Sequence, residues 1–207
     1  DKGTERHFRD QLERPVPFDE GVAEELDDQP IAESDVNVFP TKIGGAVIAI
    51  EDERVQREAF RSLLPLYNLK AAAGYLGRGE AVEPEGWIET KGLGKLGKQM
   101  FVCRAVGRSM EPAIRDGDYV VFRSTPSGSR NGKIVLVQYR GPADPDTGGA
   151  FTVKRYTSEK TGDQESGWRH TRIILSPTNP DYQPIVFTDE DAGTVVVVAE
   201  FVAVLRS

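Results

Sequence analysis

The chain has 207 residues, a formal net charge of −7 and 38% hydrophobic residues, enough for one sizeable domain with an appendage or two small domains. The acidic balance argues against a broad basic face for nucleic acid, and a single cysteine, Cys103, excludes an internal disulfide framework. The 21 Gly and 13 Pro point to many turns, hence a β-rich chain rather than a helical bundle.

Residues 1 to about 40 are polar, acidic and proline-punctuated, and read as an arm or linker. Within them "VAEELDDQPIAESDV" faintly resembles a DNA-binding helix-turn-helix but lacks the basic residues that contact phosphates, so direct DNA binding is not supported. "AVIAI" (46–50) reads as a short strand. "DERVQREAFRSLL" (52–64) reads as a helix, with Val55, Ala59, Phe60 and Leu63 on one face.

From Pro65 onward, short apolar or alternating runs are separated by turn clusters. The expected strands are 86–91, 99–106, 118–124, 132–140, 150–158, 169–176 and the terminal 194–205. Six or seven strands at this spacing predict a mainly β fold of twisted antiparallel sheets or a partly open barrel. "GLGKLG" (92–97) matches a dinucleotide fingerprint, yet it leads into another strand instead of a helix, so it reads as a glycine-rich hairpin connection. His7 and His170 lie far apart without ligand-spaced partners, and neither a metal nor a cofactor is expected. Cys103, within "MFVCRAV", reads as a buried structural thiol. The longest apolar run, "VVVVAEFVAVL", is too short for a membrane helix, and no signal peptide is evident. A start at Asp1 suggests a fragment or trimmed product, and the cytoplasm is the simplest address.

"GRSMEPAIRDGDYVVF" (107–122) places Ser109 on a tight corner before a buried strand. Asp116, Gly117 and Asp118 form the turn, and the corner is expected to expose the serine side chain while backbone amides turn inward as an oxyanion site. A serine hydroxyl attacks only if a base takes its proton. His7 lies in the polar arm and His170 at the start of an expected strand between Arg169 and Arg172, and lysine is the alternative to a histidine base. A lysine must be neutral to act, and lowering its pKa to about 7–8 costs about 4 kcal/mol, supplied by burial or a neighbouring cation. Alternation in "AFTVKRY" puts Thr152 and Lys154 on one face, and Lys154 is the best base candidate. A lysine in such a strand is otherwise a surface residue with its amine in water.

The ordered blocks "VGRSMEPAIRDGDYVVF", "GKIVLVQ", "FTVKRY" and "ILSPTNPDYQPI" resemble the self-cleaving serine–lysine peptidase domain of LexA-type repressors and UmuD-type proteins. That domain is itself distantly similar to type I signal peptidases. The resemblance covers roughly 65–207, leaving 1–64 as an acidic arm with a strand and a short helix. It implies Ser109 as nucleophile, within a motif supported by Met110, Pro112, Gly117 and Asp118, and Lys154 as base. It also implies an oxyanion site from the backbone N–H groups of Ser109 and Arg108, and a structural role for 179–182. "YRGPADPDTGGA" lengthens the serine-to-lysine interval and reads as a hairpin extension that leaves Lys154 in place.

Family members cut themselves at an Ala–Gly bond upstream of the serine, and Ala73–Gly74 stands in the matching place. Small flanking residues admit a narrow cleft, and "LPLYNL" just before them can dock as an added strand. The tethered substrate is the segment 66–80, within a cleavage-site stretch at 66–85. The resemblance also implies a homodimer through the C-terminal strand, a co-protease activator, and a switch in a stress or DNA-damage response. The rival reading is a binding module: a dimerisation or sensor domain that keeps the fold with cleavage slow or lost.

Overall fold

The computed structural model describes residues 38–40, 47–69, 71–72, 82–90, 92–124, 128–139, 151–161, 169–188 and 194–206. Among the described residues the strands are β1 (Val38–Pro40), β2 (Leu63–Tyr67), β3 (Gly86–Glu89), β4 (Met100–Arg104), β5 (Tyr119–Arg123), β6 (Ile134–Tyr139), β7 (Phe151–Thr161), β8 (Arg169–Ser176), β9 (Ile185–Thr188) and β10 (Val195–Arg206), with a short helix, α1 (Glu53–Glu58), between β1 and β2. The mainly β expectation holds. The strands form one open ten-stranded sheet in the order β3-β2-β4-β5-β10-β6-β7-β8-β9, with β1 alongside β10.

The unbroken apolar runs have a direct physical cause. In β4 and β5, Phe101, Cys103, Val120 and Phe122 belong to one buried cluster, while Met100, Val102 and Val121 belong to another. Successive side chains point to opposite faces, so a strand covered on both sides is apolar at every position. Phe101 and Phe122 stack at 5.8 Å on the first face, and Tyr67 meets Phe101 edge-on at 6.3 Å. Met110, Ala113 and Ile114, from the β4–β5 connection, complete that cluster. Burial pushes the Cys103 thiol well above its usual range, in keeping with an inert core residue.

β10 joins the two halves of the sheet. Its first part pairs with β6 and its second with β5, with register shifts between Val197 and Ala199 and between Phe201 and Ala203. Such bulges bend a strand and increase its twist, which lets one strand serve two neighbours. Val204 and Leu205 pair with β5 on one side and with β1, in parallel, on the other. The strand expected to meet a second copy is therefore hydrogen-bonded within the chain on both sides at that end.

Two local expectations are revised. The helix expected over 52–64 spans only Glu53–Glu58, capped by Asp52, whose side chain accepts the Arg54 N–H. Phe60 takes a positive φ of 60° and packs edge-on against Trp87 at 5.4 Å, and the chain then enters β2. Complete burial of Leu63 and Leu64 between β3 and β4 outweighs their helical spacing and the backbone cost at Phe60. The "AVIAI" strand reduces to a single bridge, Ile48 to Trp87. The glycine-rich stretch at 92–97 is not a hairpin connection, because β3 and β4 each pair with β2, not with each other. Gly92 and Gly94 carry it with φ of 85° and 79°. β1, β2 and β9 were not among the expected strands. The helix-turn-helix-like stretch and the run 140–150 lie outside the described residues, though β6 and β7 pair antiparallel up to Gln138 and Phe151 on either side of the latter.

Candidate active site

Ser109 lies in the connection between β4 and β5, and backbone bonds fasten that connection at its base. The Ala105 N–H donates to the Asp118 carbonyl at 2.7 Å, and the Gly117 N–H to the Ala105 carbonyl at 3.0 Å. Gly107 and Gly117 adopt φ of 89° and 84°, a region that disfavours side-chain-bearing residues. Asp116 accepts the Gly107 N–H at 2.9 Å, and Asp118 accepts the Arg115 N–H at 2.8 Å. The Asp-Gly-Asp turn thus does what its composition suggests, its carboxylates satisfying backbone donors in the turn. Past Ser109, Met110 is buried, the Ile114 N–H reaches the Met110 carbonyl at 2.8 Å, and the Glu111–Pro112 bond is cis.

A second segment clamps this corner. The carbonyl of Ser109 accepts the N–H groups of both Thr178 and Asn179 at 3.1 Å, and Asn179 Nδ2 donates to the Arg108 carbonyl at 3.0 Å. Thr178 Oγ1 donates to the Glu111 carbonyl at 3.3 Å. The structural role expected for 179–182 is thus specific: the loop after β8 fixes the backbone orientation of the serine. The sequence signal was the turn-rich "SPTNPDY", which marks a loop without saying what it holds.

β7 supplies the other half of the site. Lys154 lies opposite Val135 and Thr152 opposite Val137, the two side chains sharing one face as alternation requires. Lys154 Nζ stands 2.9 Å from Ser109 Oγ, although 45 residues separate them in sequence. The same amine donates to Thr152 Oγ1 at 2.6 Å and to the Val153 carbonyl at 3.2 Å. Ser109, Lys154 and Thr152 are 7%, 4% and 1% exposed. Ser109 is therefore not held out in solvent, as the corner alone suggested. It opens into a cleft lined by Leu69, Val106, Met110, Thr152 and Val153 among others. The reading of Lys154 as a surface lysine is likewise set aside.

Burial disfavours an ammonium, and a neutral amine has two hydrogens and one lone pair. Ser109 Oγ, Thr152 Oγ1 and the Val153 carbonyl all lie within hydrogen-bond distance of Nζ. Thr152 is a residue the sequence reasoning placed on the correct face but gave no role.

Other expected site residues sit elsewhere. His170 is in β8, paired with Lys160, while His7 and the Ala73–Gly74 bond lie outside the described residues. Ala72, the residue before Ala73, is fully buried in the cluster that holds Met110, Ala113 and Ile114. Asp118 also meets Arg206, whose Nη2 donates to Asp118 Oδ2 at 2.7 Å and to the Ala113 carbonyl at 3.1 Å. This ties the serine corner to the end of β10.

Comparison with known proteins adds a family to this geometry. The model of a family described as Peptidase S24-like matches residues 65–201. The LexA repressor of Myxococcus xanthus is 32% identical over 145 residues, covering 69% of this chain and 57% of that repressor. The LexA repressor of Syntrophotalea carbinolica is 35% identical over 129 residues, 62% of this chain and 53% of that protein. The chain therefore spans little more than half the length of these relatives.

Proposed function

Because the chain belongs to the Peptidase S24-like family, we propose that it is a self-processing serine endopeptidase that cuts its own Ala73–Gly74 bond. Ser109 is the nucleophile and neutral Lys154 the base. The observation that carries this reading is the buried 2.9 Å contact between Lys154 Nζ and Ser109 Oγ. Its immediate setting supports it: a cleft walled in part by Leu69, four residues before Ala73.

In this mechanism Lys154 takes the Ser109 proton as Oγ attacks the Ala73 carbonyl carbon. The N–H groups of Ser109 and Arg108 hold the oxyanion, a role favoured by the clamp of Thr178 and Asn179 on the neighbouring carbonyls. The amine of Gly74 leaves with the proton returned by Lys154, and water then releases the acyl group. Tethering makes the reaction intramolecular, so presentation of the segment, not substrate concentration, sets the rate. The biological reading is a cytoplasmic regulatory switch in a stress or DNA-damage response, in line with relatives that are named repressors.

Self-cleavage is expected to rise with pH. An ammonium has no lone pair, so the fraction of competent molecules grows as Lys154 loses its proton. The check is a rate–pH profile by gel densitometry: an increase through the alkaline range agrees, whereas a histidine-like optimum near pH 6 or a flat profile contradicts a lysine base.

Thr152→Val tests the arrangement of the amine. The change is nearly isosteric but removes the oxygen 2.6 Å from Nζ. Losing one orienting hydrogen bond of roughly 1–3 kcal/mol should slow cleavage by about tenfold to a hundredfold without abolishing it. A Thr152→Ser variant, which keeps the oxygen, should stay close to wild type in the same assay.

A further inference from the structure

The bond proposed for cleavage separates, in sequence, strands that are neighbours in the sheet. β2 precedes Ala73, whereas its two neighbours, β3 and β4, follow Gly74. Leu63, Leu64, Pro65 and Leu66 pair antiparallel with Glu89, Ile88, Trp87 and Gly86, and Leu66 and Tyr67 pair in parallel with Val102 and Cys103. Every residue of β2 is buried, Leu64 completely. Among the described strands β3 joins the sheet only through β2. Withdrawing β2 would therefore leave β3 without a strand partner and uncover Ile88, Met100 and Val102, which cluster with Leu64 and Leu66.

The chain before the cut is fastened at other points as well. Ile48 and Trp87 exchange both backbone hydrogen bonds at 2.9 Å, and Ile48, Val55, Leu63 and Trp87 form one buried cluster. The Thr90 N–H donates to the Ser62 carbonyl and the Glu85 N–H to the Leu66 carbonyl, both at 2.8 Å. β1 pairs in parallel with the end of β10, Val38 opposite Val204.

We propose that the two halves produced by the cut, 1–73 and 74–207, stay together as one folded complex, β2 of the first half lying between β3 and β4 of the second. The partner that this slot fits is the chain's own cleaved N-terminal half, held as an added strand is held, by ladder bonds and side-chain burial. The proposal rests on the serine–lysine reading only for the position of the cut. Neither the ladder of β2 nor the burial of its leucines depends on the peptide bond at 73–74. Cutting removes the tether and makes the association bimolecular, but leaves its contacts in place. Cleavage then marks the chain without by itself freeing its N-terminal half.

The test separates the association from the chemistry. A recognition sequence for an added site-specific protease is inserted between Ala73 and Gly74 of the full chain carrying Ser109→Ala. The nicked product is then run by size exclusion in native buffer. Both halves should elute together at the position of the uncut chain and part only in urea. Self-cleaved wild-type chain should behave alike. Leu64→Ala in the same nickable chain should raise the dissociation constant of the halves at least about thirtyfold, the effect of a large-to-small change in a filled core. A cooperative urea transition of its uncut form checks that this variant folds.

Halves of the nicked Ser109→Ala chain that elute apart in native buffer overturn the proposal. An unchanged dissociation constant in Leu64→Ala does the same, since the attachment would then lie outside β2. A wild-type chain that stays uncut, beside nicked Ser109→Ala halves that co-elute, sinks the serine–lysine reading and supports the association.

Discussion

Replacing Lys154 with methionine is expected to abolish self-cleavage while leaving the fold as stable as wild type. The activity arm follows from the hydroxyl's need for a base 2.9 Å away. Loss of the base or nucleophile in serine peptidases generally costs about 10⁴-fold or more in rate. The stability arm follows from burial. Methionine fills a similar volume and avoids the cost of holding a polar amine out of water, which offsets the lost bond to Thr152. The net change should lie within about 1 kcal/mol, measured by urea denaturation. Ser109→Ala should behave alike. Retained cleavage in Lys154→Met, with a cut between Ala73 and Gly74, would remove the lysine from the mechanism.

Replacing Arg206 with alanine should have the largest effect on stability of any single polar change near the site. Asp118 and Arg206 side chains are only 11% and 14% exposed, and Nε and Nη2 of the arginine both reach the carboxylate. Removing the cation leaves a nearly buried carboxylate and frees the Ala113 carbonyl. The expected loss is about 3 kcal/mol. Because the same carboxylate organises the turn after Ser109, the cleavage rate should fall with stability. Arg206→Met paired with Asp118→Leu should recover most of the stability, since the penalty comes from the unpaired charge. A double variant no better than Arg206→Ala would show that the Asp118 bond to the Arg115 N–H or the packing of the guanidinium, and not the unpaired charge, sets the loss.

The sequence made the serine corner of the candidate site legible because its signals are local. Ser109 announces itself by Gly107 before it, Met110 and Pro112 after it and the Asp-Gly-Asp turn beyond, each with a backbone reason to be there. Lys154 was legible as a polar break in an apolar strand. Its distance to Ser109 was not, because β6 and β7 must first pair and β10 must bridge them to β5. The same limit hid the clamp. Thr178 and Asn179 reach Ser109 across some seventy residues, and nothing in "SPTNPDY" says which loop it will hold.

The errors have a common cause as well. The stretch 59–64 carries helical spacing, but the free energy gained by burying Leu63 and Leu64 in a central strand exceeds that of two more helical turns. β2 was hidden for the same reason, its proline and its neighbourhood suggesting a docking peptide when "LPLY" is a permanent strand. The strand ends at Tyr67, and Asn68 turns the chain there by accepting the Ala71 N–H, a distinction that hydrogen-bond partners reveal and composition does not.

The central claim is that one buried amine activates one hydroxyl against a bond in the same chain. Mass spectrometry of the purified protein, held for hours at alkaline pH beside its Ser109→Ala variant, tests it most directly. Two fragments separated between Ala73 and Gly74, absent from the variant, are expected. An intact wild-type chain, or the same two fragments from Ser109→Ala, would contradict it.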